Sequence, residues 1–154
     1  MTPRRQSERW VTVLWDEGLE LLDEEECLAL LAGGQIGRVA VSVGALPAVF
    51  PVNFSFFQGS VVFRTGTGTK LSAATDHAVV AFEVDEVDPA TRRGWSVLGV
   101  GLASRVEDPD ELAGLQALEL APWAGGGRDH YVRIEVEMVS GRRISPGPAA
   151  GAAL

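Results

Sequence analysis

The sequence predicts a mainly β domain: a six-stranded antiparallel barrel with peripheral helices. Three observations carry this. Apolar and polar residues alternate along several segments, the period of a strand with one buried face. The segments follow one another through short turns, as antiparallel neighbours do, and barrel closure would remove exposed edges. Helical stretches are too few to serve as crossovers for a parallel α/β sheet.

Residues 1–20 read as an irregular arm, in which Arg4, Arg5 and Arg9 are solvating and Trp10, Val11, Val13, Leu14 and Trp15 could anchor on a core or a partner. Asp23 is a helix N-cap with Glu26 at the reciprocal capping-box position. Leu28, Leu31 and Ala32 form the stripe of that helix, and Gly33-Gly34 ends it. Val39, Val41 and Val43 alternate with Arg38, Ala40 and Ser42, and Phe50, Val52, Phe54 and Phe56 with Pro51, Asn53 and Ser55. Gln58-Gly59 turns the chain into a strand through Val61–Arg64, and a short helix follows Lys70 to about Thr75. Ala78–Val87 and Trp95–Val106 are two longer strands joined through Asp88-Pro89. Gly99 and Gly101 thin the second of these, which suits a bend or the close approach of a ligand. Asp108 caps another helix, with Pro109 at its first position, Asp110 and Glu111 in its first turn, and Leu112, Leu115 and Leu118 beyond. Ile134, Val136 and Met138, alternating with Arg133, Glu135 and Glu137, make the last strand. The Pro/Gly tail, 145–154, predicts disorder.

At 154 residues and 46% apolar composition, the chain is one ordinary domain, 21–144, with enough apolar residues for a core. A net charge of −8 repels phosphodiester backbones and anionic lipid, so neither nucleic acid nor membrane is an expected partner. The single cysteine, Cys27, excludes an intrachain disulfide. There is neither an apolar signal core in Met1–Arg9 nor a run long enough to cross a bilayer, and the expected location is cytoplasmic. His77 and His130 have no metal-ligand spacing, so no metal is expected. Glu83 and Asp85 share one strand face and read as a solvated face rather than an acid/base pair.

Three segments could hold a ligand. In Arg64-Thr65-Gly66-Thr67-Gly68-Thr69-Lys70, a strand end meets two flexible glycines, hydroxyls and two cations, and Leu71 continues into a short helix. Such a set suits a phosphate monoester, although Gly/Thr loops are common and a hydrophilic hairpin loop is the more frequent use of the pattern. Pro51, within Val49-Phe50-Pro51-Val52-Asn53-Phe54, marks an edge or bulge. The backbone freed there, with Asn53, could bond a planar heterocycle, or be an ordinary barrel edge. Trp95 and Ser96 could stack on and bond a ring, although Trp95 in isolation reads more readily as a core residue. Outside these segments, Trp123 could cover a ligand, pack at a subunit boundary, or simply be exposed by chance.

The order of these segments resembles the pyridoxamine 5'-phosphate oxidase-like FMN-binding split-barrel family. The match runs over 21–144, through Leu22–Leu31, Ile36–Ala40, Pro51–Phe54, Phe63–Lys70, Ala81–Asp85 and Gly94–Val97. The resemblance implies a six-stranded split barrel that forms a homodimer, with FMN at the subunit interface. It implies that Val49, Phe50, Pro51, Val52, Asn53 and Phe54 lie along the isoalloxazine ring. It gives Arg64, Thr65, Thr69, Lys70 and Leu71 the phosphate and ribityl chain, and Trp95 and Ser96 a reach to the flavin from either subunit. Two departures argue against oxidation of vitamin B6. The second basic position beside the phosphate-loop arginine is taken by Lys70-Leu71, which leaves one cation. The substrate-gripping C-terminal segment is replaced by Gly141-Arg142-Arg143-Ile144 and the Pro/Gly tail.

The functional expectation is an FMN-dependent oxidoreductase acting on a small molecule, with FMN doing the redox chemistry. The alternative is a binding or storage module for flavin, deazaflavin or haem without its own turnover. No catalytic residue is assigned.

Overall fold

The computed structural model describes residues 19–122 and 129–144. The readings made on the arm before residue 19, on Trp123 and on the tail from Ser145 lie outside those residues. The described elements are β1 (Glu20–Leu22), α1 (Glu24–Ala32), β2 (Ile36–Val43), β3 (Leu46–Phe57), β4 (Ser60–Gly66), α2 (Lys70–Ala74), β5 (Ala78–Asp88), β6 (Arg93–Arg105), α3 (Pro109–Gln116) and β7 (Asp129–Ile144).

Hydrogen bonding runs β7-β4-β3-β2-β5-β6, and β6 pairs back onto β7 to close the ring. Every pairing is antiparallel, so the expected six-stranded barrel is the fold. A short seventh strand, β1, is added outside the ring on the 141–143 stretch of β7. It begins at Glu20, the last residue read as arm, and its buried Leu22 ties it to the core.

The alternation seen in the sequence is the inside and outside of the barrel. Val39, Val61, Phe63, Phe82, Val97 and Ile134 are fully enclosed, and Phe54 meets Phe82 edge to face at 4.7 Å. Each large apolar side chain buried in this way contributes about 1.5–3 kcal/mol. A second cluster, Val62, Val106, Leu115 and Leu120, lies under α3. In α1 the capping box forms as read: the Glu26 amide donates to Asp23 at 2.8 Å and the Asp23 amide to Glu26 at 3.3 Å. Its buried seam, however, is Cys27 and Leu31, with Leu28 half-buried and Ala32 exposed. Cys27 rather than Leu28 faces the barrel, where its sulfur lies against Gly141 of β7.

Two features of the ring position the site. At Gly101 a Cβ would stand 1.7 Å from the Glu135 carbonyl oxygen, and the β6–β7 register shifts between Val100 and Gly101. The close approach read at Gly99 and Gly101 is therefore by β7, at a bulge that bends the barrel closed. The second feature is a divergence. Residues 46–53 of β3 pair only with β2, whereas β4 joins β3 only from Phe54↔Phe63 onward. Beyond that point Arg64, Thr65 and Gly66 pair with β7 alone, so β3 and β4 part and leave a gap between them.

Candidate functional site

A cavity of about 440 Å³ fills that gap. Its size falls within the roughly 300–1,000 Å³ of small-molecule pockets. Phe50, Pro51 and Val52 from the free edge of β3 form one wall, where Pro51 costs no ladder bond because that side has no partner. Arg64, Thr65 and Gly66 from β4 face them, Thr69 and Leu71 lie below, and Lys70 and Pro122 complete the rim. The structure thus gathers Phe50, Pro51, Val52, Arg64, Thr65, Thr69, Lys70 and Leu71 around one concavity.

The remaining candidates do not line this cavity. Val49 is exposed on the outer face, and the Phe54 ring is buried in the core against Phe82. Asn53 donates from Nδ2 to the Ala121 carbonyl at 3.4 Å. Trp95 and Ser96 are paired with Arg143 and Arg142 near the far end of β7, whereas the cavity lies beside its start at Asp129–Tyr131. Trp95 packs against the core, and Ser96 Oγ accepts from Arg142 Nε at 3.3 Å.

Within the cavity the polar groups differ in what they can offer. Thr69 is the N-cap of α2: its Oγ1 accepts from the Ser72 amide at 3.0 Å and donates to the Gly66 carbonyl at 2.9 Å. Thr65 Oγ1 lies 3.1 Å from the same hydroxyl. These hydroxyls fold the loop on itself, as a capping residue requires. Arg64 donates from Nη1 to the Leu120 carbonyl at 2.8 Å, is ion-paired through Nη2 to Asp129, and lies 5.5 Å from the Tyr131 ring centroid. Lys70 is exposed and sits at the cavity rim. The apolar wall suits a flat heterocycle and Lys70 suits an anionic tail, so these residues fit a flavin carrying a phosphate. Asp129, Leu120 and Pro122 escaped the sequence reading: their roles come from contacts with β4 and the cavity made far along the chain, for which a sequence holds no local signal.

Behind α2 a second concavity, of about 270 Å³, includes Ser72 and His130. His130 is buried, and its Nε2 lies 3.3 Å from Ser72 Oγ. Burial and the nearby Arg105 hold its affinity for protons below the ordinary histidine value, with Asp129 and Asp76 acting the other way. His77 is exposed and pairs with Asp76. Arg38 bridges Glu83 at 3.0 Å and Asp85 at 3.4 Å on an open face, as the solvated reading expects. Among the described residues no acidic, histidine and cysteine cluster could hold a metal ion, and no helix is long and apolar enough to cross a membrane.

A family model for pyridoxamine 5'-phosphate oxidase matches residues 23–143. The chain belongs to this family. An FAD-binding protein from Mycobacterium smegmatis is 38% identical, with a TM-score of 0.70 over 80% of this chain and 98% of that one. A conserved protein of unknown function from Corynebacterium diphtheriae is 35% identical, with a TM-score of 0.69 over 82% and 98%. An uncharacterized protein of Mycobacterium tuberculosis is 44% identical over 128 residues, covering 80% of this chain and 84% of that protein. Family and barrel agree.

Proposed function

We propose that this chain is a flavin-binding protein of the split-barrel family, with FMN in the cavity between β3 and β4. The observation that carries the reading is the meeting, in that gap, of the unpaired β3 edge and the Lys70 rim. Phe50, Pro51 and Val52 would back the ring system and Lys70 would face the phosphate. A bound flavin supplies the capacity to exchange electrons with a small molecule; the chain supplies the apolar wall, the fixed edge and the cation. The Mycobacterium smegmatis relative supports flavin as the class, and its FAD, like a deazaflavin, is an alternative to FMN that mass identification of released ligand separates. We propose turnover of a small molecule as the use of the flavin. Carriage without turnover is the second reading, favoured by a lining that has no aspartate, glutamate or histidine among the described residues.

The test begins with the absorption spectrum of the purified protein and titration with FMN and riboflavin. Flavin uptake is expected, and no uptake of FMN at high micromolar concentration would sink the proposal. Lys70→Ala is expected to weaken FMN several-fold, about 1 kcal/mol, and to leave riboflavin unchanged, because the lost contact is to phosphate alone.

We further propose a homodimer with the cofactor at the subunit interface. The support is a row of outward residues across the barrel: Val49, Ala40, Ala81, Val100 and Met138 are cross-strand neighbours in turn. Val79 and Leu102 pair beside this row, and both are exposed. An exposed apolar face of this breadth marks an interaction surface, and its β3 edge borders the cavity.

A further inference from the structure

Arg64 is the cation that a phosphate-site reading expects to meet the ligand, yet its guanidinium serves another purpose in this fold. It rises from β4 just where β4 leaves β3, and Gly66↔Asp129 and Arg64↔Tyr131 are adjacent same-face pairs on the β4–β7 ladder. Asp129 is thus the diagonal neighbour of Arg64 and compensates its charge, while Tyr131 lies opposite. The Nη1 donor goes to the Leu120 carbonyl. Nε is sealed from solvent and has no partner among the described residues, so it is not offered to a ligand in the cavity.

The recipient of that bond matters. Leu120 is anchored by its side chain in the cluster under α3, the next carbonyl, Ala121, accepts from Asn53, and Pro122 is the cavity rim. Asn53 and Arg64 sit on the two strands that diverge, so the 120–122 segment is stapled from both sides of the gap. A phosphate drawn to Arg64 would meet a guanidinium already neutralised by a carboxylate. Pulling it away would strip a donor from Leu120.

We propose that Arg64 is a positioning residue: it fastens the Leu120–Pro122 segment, which carries Pro122 to the cavity rim, with Asp129 as its counter-ion, and does not hold the ligand phosphate. This rests on the flavin reading for the identity of the ligand, but the fastening itself does not.

The experiment compares FMN with riboflavin binding, and amide exchange at Leu120 and Ala121 in flavin-free protein, for the wild type, Arg64→Ala, Arg64→Lys and Asn53→Ala. Arg64→Ala should weaken FMN and riboflavin by the same factor, about tenfold, and Arg64→Lys should not rescue it, because one ammonium cannot span both acceptors. Exchange at Leu120 and Ala121 should quicken in both Arg64 variants and, to a lesser degree, in Asn53→Ala. If Arg64→Ala costs FMN tenfold more than riboflavin, or if Arg64→Lys restores FMN alone, Arg64 is a phosphate ligand and the proposal is overturned. Unchanged exchange overturns it as well. A wild type that binds neither flavin defeats the functional reading while leaving exchange to decide the fastening. If Arg64→Ala does not fold, Arg64→Lys and Asn53→Ala give the same two outcomes.

Discussion

His130 shows how a single buried side chain ties stability to pH. Its ring is enclosed between β7 and α2, next to Arg105 and within reach of the fields of Asp129 and Asp76. Burial is the largest effect, so the folded chain holds the imidazole neutral to lower pH than the unfolded chain, which titrates at the ordinary 6.5. The unfolded state therefore binds more protons just below that value. The resulting contribution is fully present above about pH 6.5 and is lost as pH falls through the lower folded value. Urea midpoints for the wild type should drop between pH 7.5 and 5.5 by more than those for His130→Gln. Equal drops would show that other groups dominate that window. Glu83 works in the opposite sense: burial and the neighbouring Asp85 raise its pKa against the pull of Arg38. The comparison with a variant isolates the histidine from it. Cys27 needs no such test to be read as inert, because enclosure and the carboxylates of Asp23, Glu26 and Glu24 push its thiol up to about 11.

At the scale of elements, α1 and α2 share one device. Both begin on a side-chain cap, Asp23 in one and Thr69 in the other. Removing the reciprocal cap of α1 by Asp23→Ala should cost about 1 kcal/mol, read as a shift in urea midpoint with unchanged slope. A change below about 0.3 kcal/mol would mean that the Cys27–Leu31 seam alone sets the helix. The caps, the strand alternation and the Pro109 start of α3 were legible in the sequence because each is written within a few neighbouring residues. The staple from Arg64 to Leu120 and Asp129 was not, since its partners lie far along the chain and meet only when β4 joins β7. Gly101 illustrates a half-legible feature. Its smallness announced a close approach, but only the ladder says that the neighbour is the Glu135 backbone.

For the whole molecule, the outer face of β2, β5 and β6 is the surface on which the dimer prediction rests. The ring closes through β6 and β7, and the free edge of β3 borders the cavity, so a second copy is expected to dock through side chains on the face. The row from Val49 through Ala81 to Met138 presents small and branched apolar groups flanked by the Arg38–Glu83–Asp85 cluster, an apolar centre with a charged rim. A stable interface needs about 800 Å² from each partner. The exposed Val79, with Leu102 opposite, extends the row toward that size. Light scattering at micromolar concentration should therefore give twice the 16.4 kDa chain mass. Ala81→Glu places a charge at the centre of the row without touching the core, because Ala81 points away from the buried Val80 and Phe82. It should halve the observed mass while the far-ultraviolet spectrum of the barrel is retained. It should also weaken FMN if a second copy stands beside the cavity. A wild-type mass of one chain would remove the dimer from the proposal. A halved mass with unaltered FMN affinity would keep the dimer and move the cofactor away from its interface.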